Sequence, residues 1–306
     1  METILDVQHL AKSYGKQKAL SDITFSVRPG TCFGLLGPNG AGKSTTMKIL
    51  TGIVEADGGT AEVFGMDAVK QRHDIRRKVG YVPQAITLYE KLSARDNLTF
   101  FGEMYGLHGN LLKKRISEVL QLVGLSNKAK NAVRTFSGGM KRRINIAAAM
   151  LHEPELLILD EPTVGIDPQS RHHIFEMIRS LKSAGVTIIY STHYMEEVEA
   201  LCDELAIIDQ GEVITQGSLS ELLDRYSKKS IYAEIDGVRE LPSFPEAIDV
   251  YRNGNGWMIE TDNVTQTMQA VLQIVKERKW ELNALEIMRP SLENVFLALT
   301  GTSLRD

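Results

Sequence analysis

An α/β fold with a largely parallel sheet, a helical insert and a smaller α/β unit behind it is what this sequence predicts, on three observations. Short β-rich runs alternate with helical patterns through the first two-thirds of the 306 residues, the pattern of stacked strand and helix layers rather than of a bundle or sandwich. Several of those runs are apolar without a break, as strands covered on both faces are. A shorter series of strands and helices starts again near residue 219, and 306 residues are about two typical domains.

The elements follow in order. Residues 31–36 (TCFGLL) read as a buried strand, 37–42 as a tight loop and 43–50 as the start of a helix. In an insert of about residues 96–140, Leu111, Leu112, Ile116, Val119, Leu120 and Val123 recur at helical spacing with basic residues between them. Residues 156–159 and 186–190 are two more unbroken apolar runs. After a strand at 206–209, Gln210-Gly211 turns the chain into 212–217, a hairpin that closes a first domain of residues 1–218. In the second, 219–306, strands are expected at 231–236, 256–261 and 282–288. Helices are expected at 265–278 and 291–299, the last with Ser291 as N-cap and Gly301 beyond its end.

Composition excludes several classes. Hydrophobic residues at 43% and charged residues at 24% are those of an ordinary globular chain. The net charge of −4 arises wholly after residue 218, so neither part is a basic nucleic-acid binder and no nucleic-acid partner is expected. Cys32 and Cys202 stand in apolar stretches without a metal-ligand spacing and read as buried thiols in a reducing cytoplasm. No run of 18 uncharged apolar residues occurs, so no membrane span is expected. The clusters Arg76-Arg77-Lys78, Lys113-Lys114-Arg115 and Lys141-Arg142-Arg143 read as solvated faces, and the adjacent His172 and His173 point too far apart on a helix to make a metal pair.

The chemistry concentrates at two places. Gly37-Pro38-Asn39-Gly40-Ala41-Gly42-Lys43-Ser44 has the form G-x-x-x-x-G-K-[ST] between a strand and a helix, the context that motif requires. Glycines let backbone N–H groups turn toward phosphate oxygens, the helix N-terminus adds partial positive charge, Lys43 reaches the β and γ phosphates and Ser44 offers a hydroxyl to Mg²⁺. Residues 156–159 then deliver Asp160 and Glu161 to the carboxyl end of a strand, where open α/β sheets bind ligands. Asp160 is placed to hold Mg²⁺ through its water shell and Glu161 to polarise the attacking water. Acids at a strand end are also common turn residues, so this second signal draws its weight from the first.

At this point the chain resembles the ATP-binding cassette (ABC) ATPases, over about residues 3–218, because six further elements stand in that family's order. Tyr14 matches the aromatic that stacks on adenine, and Gln84 in YVPQ the glutamine that touches Mg²⁺ and senses the transporter. Phe136-Ser137-Gly138-Gly139-Met140 matches the signature sequence, with Phe136 and Met140 in place of the usual Leu and Gln. Asp160-Glu161-Pro162-Thr163 matches the strand-end acids, Gly165-Ile166-Asp167-Pro168 the loop after them, and His193 the switch histidine that hydrogen-bonds the γ phosphate. Taken without the resemblance, Tyr14 also reads as a surface aromatic, Gln84 as a loop residue and His193 as a capping histidine.

The resemblance implies a P-loop nucleotide-binding domain of ABC type that hydrolyses ATP with Mg²⁺. Glu161, His193 and Gln84 are its catalytic residues, and Ser44, Gln84 and Asp160 lie around the metal. Tyr14, the loop Gly37 to Ser44 and Thr45 contact nucleotide. Asp167 also contacts nucleotide, and the signature loop with Ser137, Gly138 and Gly139 closes over the nucleotide of a second copy, in a homodimer or a heterodimer with a similar subunit. It also implies separate transmembrane permease subunits, docked on the helical insert at the cytoplasmic face of the membrane. The SGGM signature and the tail from Pro290 to Gly301 (PSLENVFLALTG) look like ATP-binding subunits of bacterial drug and antibiotic exporters, the daunorubicin-exporter-like group. A GTPase would want an [NT]KxD string, which Asn127-Lys128-Ala129-Lys130 does not supply. A DNA-repair cassette would want a long coiled coil between Gln84 and Ser137, and a translation-type protein two cassettes. A non-catalytic module would not need Lys43, Glu161 and His193.

Overall fold

The computed structural model describes residues 3–226, 229–238, 240–244, 247–288 and 291–300. It opens with β1 (Leu5–Tyr14), β2 (Gln17–Val27), β3 (Cys32–Leu36), α1 (Lys43–Leu50), β4 (Gly58–Val63), β5 (Met66–Asp67), α2 (Arg72–Lys78) and β6 (Val79–Val82). Then come α3 (Ala94–Met104), α4 (Gly109–Leu122), α5 (Gly138–Ala149), β7 (Leu156–Asp160), α6 (Pro168–Ser183), β8 (Thr187–Thr192), α7 (Met195–Leu201), β9 (Glu204–Asp209) and β10 (Glu212–Ser218). Last are α8 (Leu219–Tyr226), β11 (Ser230–Ile235), β12 (Ala247–Asn253), β13 (Gly256–Thr261), α9 (Val264–Arg278), β14 (Leu282–Met288) and α10 (Leu292–Thr300). Two compact units result, one up to Leu219 and one from Ser220 onward.

The first unit holds a ten-stranded sheet in the order β5-β4-β1-β2-β10-β9-β3-β8-β7-β6. From β9 to β6 every pairing is parallel. Strands β3, β7 and β8 are buried at every position, which is why they read as unbroken apolar runs. In register, Leu36 lies beside Thr192 and Asp160 beside Ser191. The phosphate loop, the acid pair and His193 therefore leave the sheet at one edge. The wing β5-β4-β1-β2 is antiparallel. Its strands mix buried and exposed positions, a fainter signal, and the sequence reading did not separate them. The hairpin between β9 and β10 turns on Gln210 (φ 48°) and Gly211 (φ 80°), the left-handed pair that a two-residue turn requires.

The insert is helical as expected. Ser93 caps α3 in a capping box with Asp96, whose N–H donates to Ser93 Oγ at 3.1 Å. Helices α3, α4 and α5 pack on one another, and α5 runs on to Ala149. The basic clusters divide. Arg76, Arg77, Lys78, Lys113 and Lys114 are exposed, as a solvated face requires, but Arg115 and Arg143 are half-buried and Arg142 is buried. Arg76 donates to Thr51 O and Gly52 O, Arg115 to Leu151 O and Met150 O, and Arg142 to Pro83 O (2.8 Å) and Gln84 O (2.5 Å). A planar guanidinium satisfies two main-chain carbonyls at once, which an ammonium does less well. Cys32 and Cys202 are both buried, with their sulfurs 3.8 Å apart.

The second unit is an antiparallel sheet in the order β12-β13-β11-β14. It is built around Ala233, Ile235, Trp257, Ile259 and Val271. Strand β12 is an almost wholly exposed edge and carries no apolar alternation for a sequence reading to find. At the start of α10, Asn294 N–H donates to Ser291 Oγ at 3.4 Å. Pro290 and Gly301 lie outside the described residues.

Candidate functional site

The loop between β3 and α1 owes its shape to two glycines. A Cβ at Gly37 would stand 2.1 Å from Ile208 O, so only glycine lets the loop lie against β9. Gly42 has φ 109°, and a Cβ there would meet Leu20 at 2.5 Å. Gly42 is also the N-cap of α1, and no side chain caps that helix. The first amide to bond back is Thr46 N, to Gly42 O at 2.9 Å, so the first-turn N–H groups face the loop.

Lys43 is 4% exposed. Its Nζ donates to Gly37 O (2.7 Å) and Pro38 O (3.1 Å) and lies 3.2 Å from Glu161 Oε1. Burial pulls its pKa below the ordinary lysine value, and the Glu161 and Asp160 carboxylates oppose that fall.

Asp160, at the end of β7, is 2% exposed. Its Oδ1 accepts from Ser44 Oγ (3.0 Å) and Ser191 Oγ (2.9 Å), and its Oδ2 from Tyr81 OH at 3.4 Å. Burial first, and then the Asp160 charge, raise the Tyr81 pKa well above its ordinary value, so that hydroxyl stays a donor. Glu161 adopts φ 46°, a left-handed conformation that costs a non-glycine residue about 1–2 kcal/mol. Two bonds hold it there, from its N–H to Ser191 O (3.2 Å) and to Ser191 Oγ (3.0 Å). Its carboxylate accepts from Gln84 Nε2 at 3.0 Å and lies 3.4 Å from His193 Nδ1. Gln84 is itself held by Arg142, through its carbonyl.

A cavity of about 320 Å³ opens over this cluster, lined among others by Tyr14, Asn39, Lys43, Thr45, Gln84 and Glu161. Tyr14 stands half exposed at its rim. Ser137, Gly138, Gly139 and Asp167 do not line it. They form a second cluster at the N-termini of α5 and α6. Ser137 Oγ accepts from Met140 N at 3.3 Å, and Asp167 Oδ1 from Ser170 N at 2.9 Å. The latter bond is the main reason the Asp167 carboxyl titrates below its usual range. A Cβ at Gly139 would stand 2.1 Å from Ser170 Oγ, so α5 and α6 meet through a glycine. His172 and His173 lie on α6 with ring centroids 6.4 Å apart, and no metal-binding cluster occurs among the described residues.

A family model described as ABC transporter matches residues 20–164, and one described as ATP-binding protein DrrA1-3-like, C-terminal domain, matches residues 217–300. The linearmycin resistance ATP-binding protein LnrL of Bacillus subtilis is 45% identical over 99% of this chain and 100% of its own length. This chain belongs to the ABC transporter family. Its ABC domain makes it an ATP-binding ATPase subunit with a DrrA-like C-terminal domain. The Nod factor export ATP-binding protein I of Ralstonia nicotianae is 40% identical over 99% of the chain and 95% of that protein. A solved ATP-binding subunit of an ABC transporter superposes with a TM-score of 0.66 at 34% identity, covering 73% of this chain and 93% of that one.

Beyond the ABC motifs, the structure brings in residues that sequence reading passed over. Tyr81 and Ser191 support Asp160, and Arg142 supports Gln84. Behind the acid pair, Thr163, Tyr190 and Thr192 all donate to a buried Glu197. No sequence signal separates Glu197 from Glu196 and Glu199; its burial beside Val198 and Leu201 comes from the fold.

Proposed function

We propose that this chain hydrolyses ATP to drive an exporter. Lys43 and the α1 N-terminus hold the phosphates, Glu161 serves as general base, and His193 and Gln84 flank the attacked phosphorus. The observation that carries this reading is the meeting of Lys43, Gln84 and His193 on the one carboxylate of Glu161. The Lys43 ammonium has three acceptors within reach. A γ phosphate competes for the same ammonium, and when it wins, Glu161 is released to take a proton from water. His193 donates to the phosphate oxygen. Tyr14, exposed at the rim, offers its ring to the base.

A magnesium ion fits the residues present. Ser44 Oγ and the Asp160 carboxylate are hard oxygen donors 3.0 Å apart, the Gln84 amide stands nearby, and two buried carboxylates outnumber the one ammonium. When bound, the ion supplies charge neutralisation of the β and γ phosphates.

Ser137, Gly138, Gly139 and Asp167 lie away from the cavity of their own chain. That supports a site completed across a dimer, in which the signature cluster of one copy closes over the phosphates of the other. No described helix is long and apolar enough to cross a membrane. The exporter names of similar chains support delivery of the work through separate permease subunits at the cytoplasmic face. A groove of about 630 Å³ beside the helical insert supports a docking place for them. Its walls include Ile53, Phe101, the 70% exposed Met104 and Tyr81, whose hydroxyl reaches Asp160. Two similar chains are named for linearmycin resistance and for Nod factor export, which concern different molecules. This supports an exporter role with cargo chosen by the membrane subunits.

The test is Glu161→Gln. It is expected to bind ATP with parental affinity by calorimetry, to lose turnover by at least about 10²-fold, and to accumulate a dimer with ATP on gel filtration. Turnover at the parental rate rejects Glu161 as the base.

A further inference from the structure

We propose that Glu197 is a positioning residue for hydrolysis, acting through Glu161 and His193 and resting on the roles proposed above for those two. It lies in α7, is 1% exposed, and meets hydroxyls rather than a cation. Oε1 accepts from Thr163 Oγ1 at 2.7 Å, and Oε2 from Tyr190 OH at 2.8 Å and Thr192 Oγ1 at 2.9 Å. Among the described residues it makes no ion pair. A carboxylate buried in this way is tolerated only when fixed donors surround it. Here the donors come from two different stretches of chain, so satisfying the acid also ties those stretches together. Burial and the Glu197 charge push the Tyr190 phenol well above its ordinary value, which keeps it a donor.

Two of the three donors adjoin the reacting groups. Thr163 follows Glu161 by two residues. Thr192 directly precedes His193, and its Oγ1 also accepts from Tyr194 N at 2.9 Å, setting the turn on which the histidine stands. Chain and contacts together close a ring: Glu161 through Pro162 to Thr163, across Glu197 to Thr192, then to His193, whose Nδ1 returns to 3.4 Å from Glu161 Oε1. The ring fixes the base relative to the histidine. Neither Thr163 nor Glu197 lines the nucleotide cavity. Loosening the ring should therefore spare binding and slow the chemical step, since a misplacement of about 1 Å can cost about 10²-fold in rate.

Thr163→Val and Thr192→Val keep volume and each remove one hydroxyl. Glu197→Gln keeps shape and alters the acceptor. Steady-state ATP turnover, ATP affinity and melting temperature are measured on the full chain. For the two valine variants, kcat is expected to fall about tenfold or more, with affinity within twofold of the parent. Glu197→Gln is expected to fall between them and the parent, because a carboxamide still accepts. In single-turnover assays on a Glu161→Gln background the same changes are expected to add no further loss, because they act through that base. A merely structural role predicts the reverse, with losses that multiply on that background and affinity falling alongside kcat. That result overturns the proposal, as does parental kcat in both valine variants. If Glu161→Gln itself turns over normally, the role of the base fails, whatever the valine variants do. If Glu161→Gln is inert while the valine variants run at full rate, the positioning role alone fails.

Discussion

At His152 a ring stacked on Tyr105, with centroids 3.8 Å apart, donates Nε2–H to Val79 O at 3.2 Å, while Nδ1 is buried without a partner. The neutral ring leaves only a lone pair unmatched at Nδ1, whereas protonation would bury an unpaired charged N–H there, and burial lowers the pKa from 6.5 to about 4. The unfolded chain then binds more protons than the folded one between those two values. This residue's contribution to stability is complete above pH 6.5 and drains away as pH falls toward 4. Allowing for partial exposure, the loss is on the order of 2 kcal/mol. His152→Phe keeps the stack and removes the titration. Its urea midpoint is expected to fall less than the parent's between pH 7 and pH 5, and equal slopes would show that the ring does not titrate there. Residues of this kind are invisible in sequence, whereas Lys43 and Ser44 stood out in the G-x-x-x-x-G-K-[ST] string, and Asp160, Glu161 and His193 stood out through the resemblance to the ABC ATPases. Arg142 was not legible: it holds carbonyls 58 and 59 positions away along the chain, and a local string cannot express that.

Between elements the same division holds. Strands β3, β7 and β8, buried on both faces, announce themselves as apolar runs, while β1 and β2 of the antiparallel wing and the edge strand β12 expose too many positions to do so. The meeting of α5 with α6 lies between these cases. The glycine pair of the signature was plain, but its packing reason was not: Gly139 is where α5 touches Ser170 of α6, with no room for a methyl group. That contact brings together the first turns of two helices, one capped by Ser137 and the other by Asp167. Gly139→Ala is expected to lower stability by about 1–3 kcal/mol through overpacking and to reduce ATP turnover, because the caps shift apart. Adding Ser170→Gly removes the atoms in conflict and should recover most of the melting temperature. If the double variant melts no higher than Gly139→Ala alone, the contact is not the reason for the glycine.

For the molecule as a whole, two separate apolar cores argue for two separable tasks. One core gathers side chains such as Phe25, Phe33, Leu156 and Ile189 under the nucleotide loop, and the other gathers Ala233, Trp257 and Val271. Every residue lining the nucleotide cavity lies between Tyr14 and Glu161, and the last strand of the large sheet ends at Ser218. A chain cut after Leu219 keeps all of these, including the bond from Leu219 N to Asp203 O that fastens its end. It also discards the acidic excess behind the net charge of −4. The shortened protein is therefore near neutral and expected to be less soluble at pH 7, since repulsion between copies is weaker. Solubility and binding must be read apart. Measured by calorimetry at low protein concentration, the fragment is expected to bind ATP within about threefold of the full chain, a difference of less than about 1 kcal/mol. Loss of binding by soluble, folded fragment would mean that the second unit helps to build the nucleotide site. Retained binding with altered turnover would instead place its influence on the dimer closure proposed above, in which the signature cluster of one copy has to meet the phosphates held by the other.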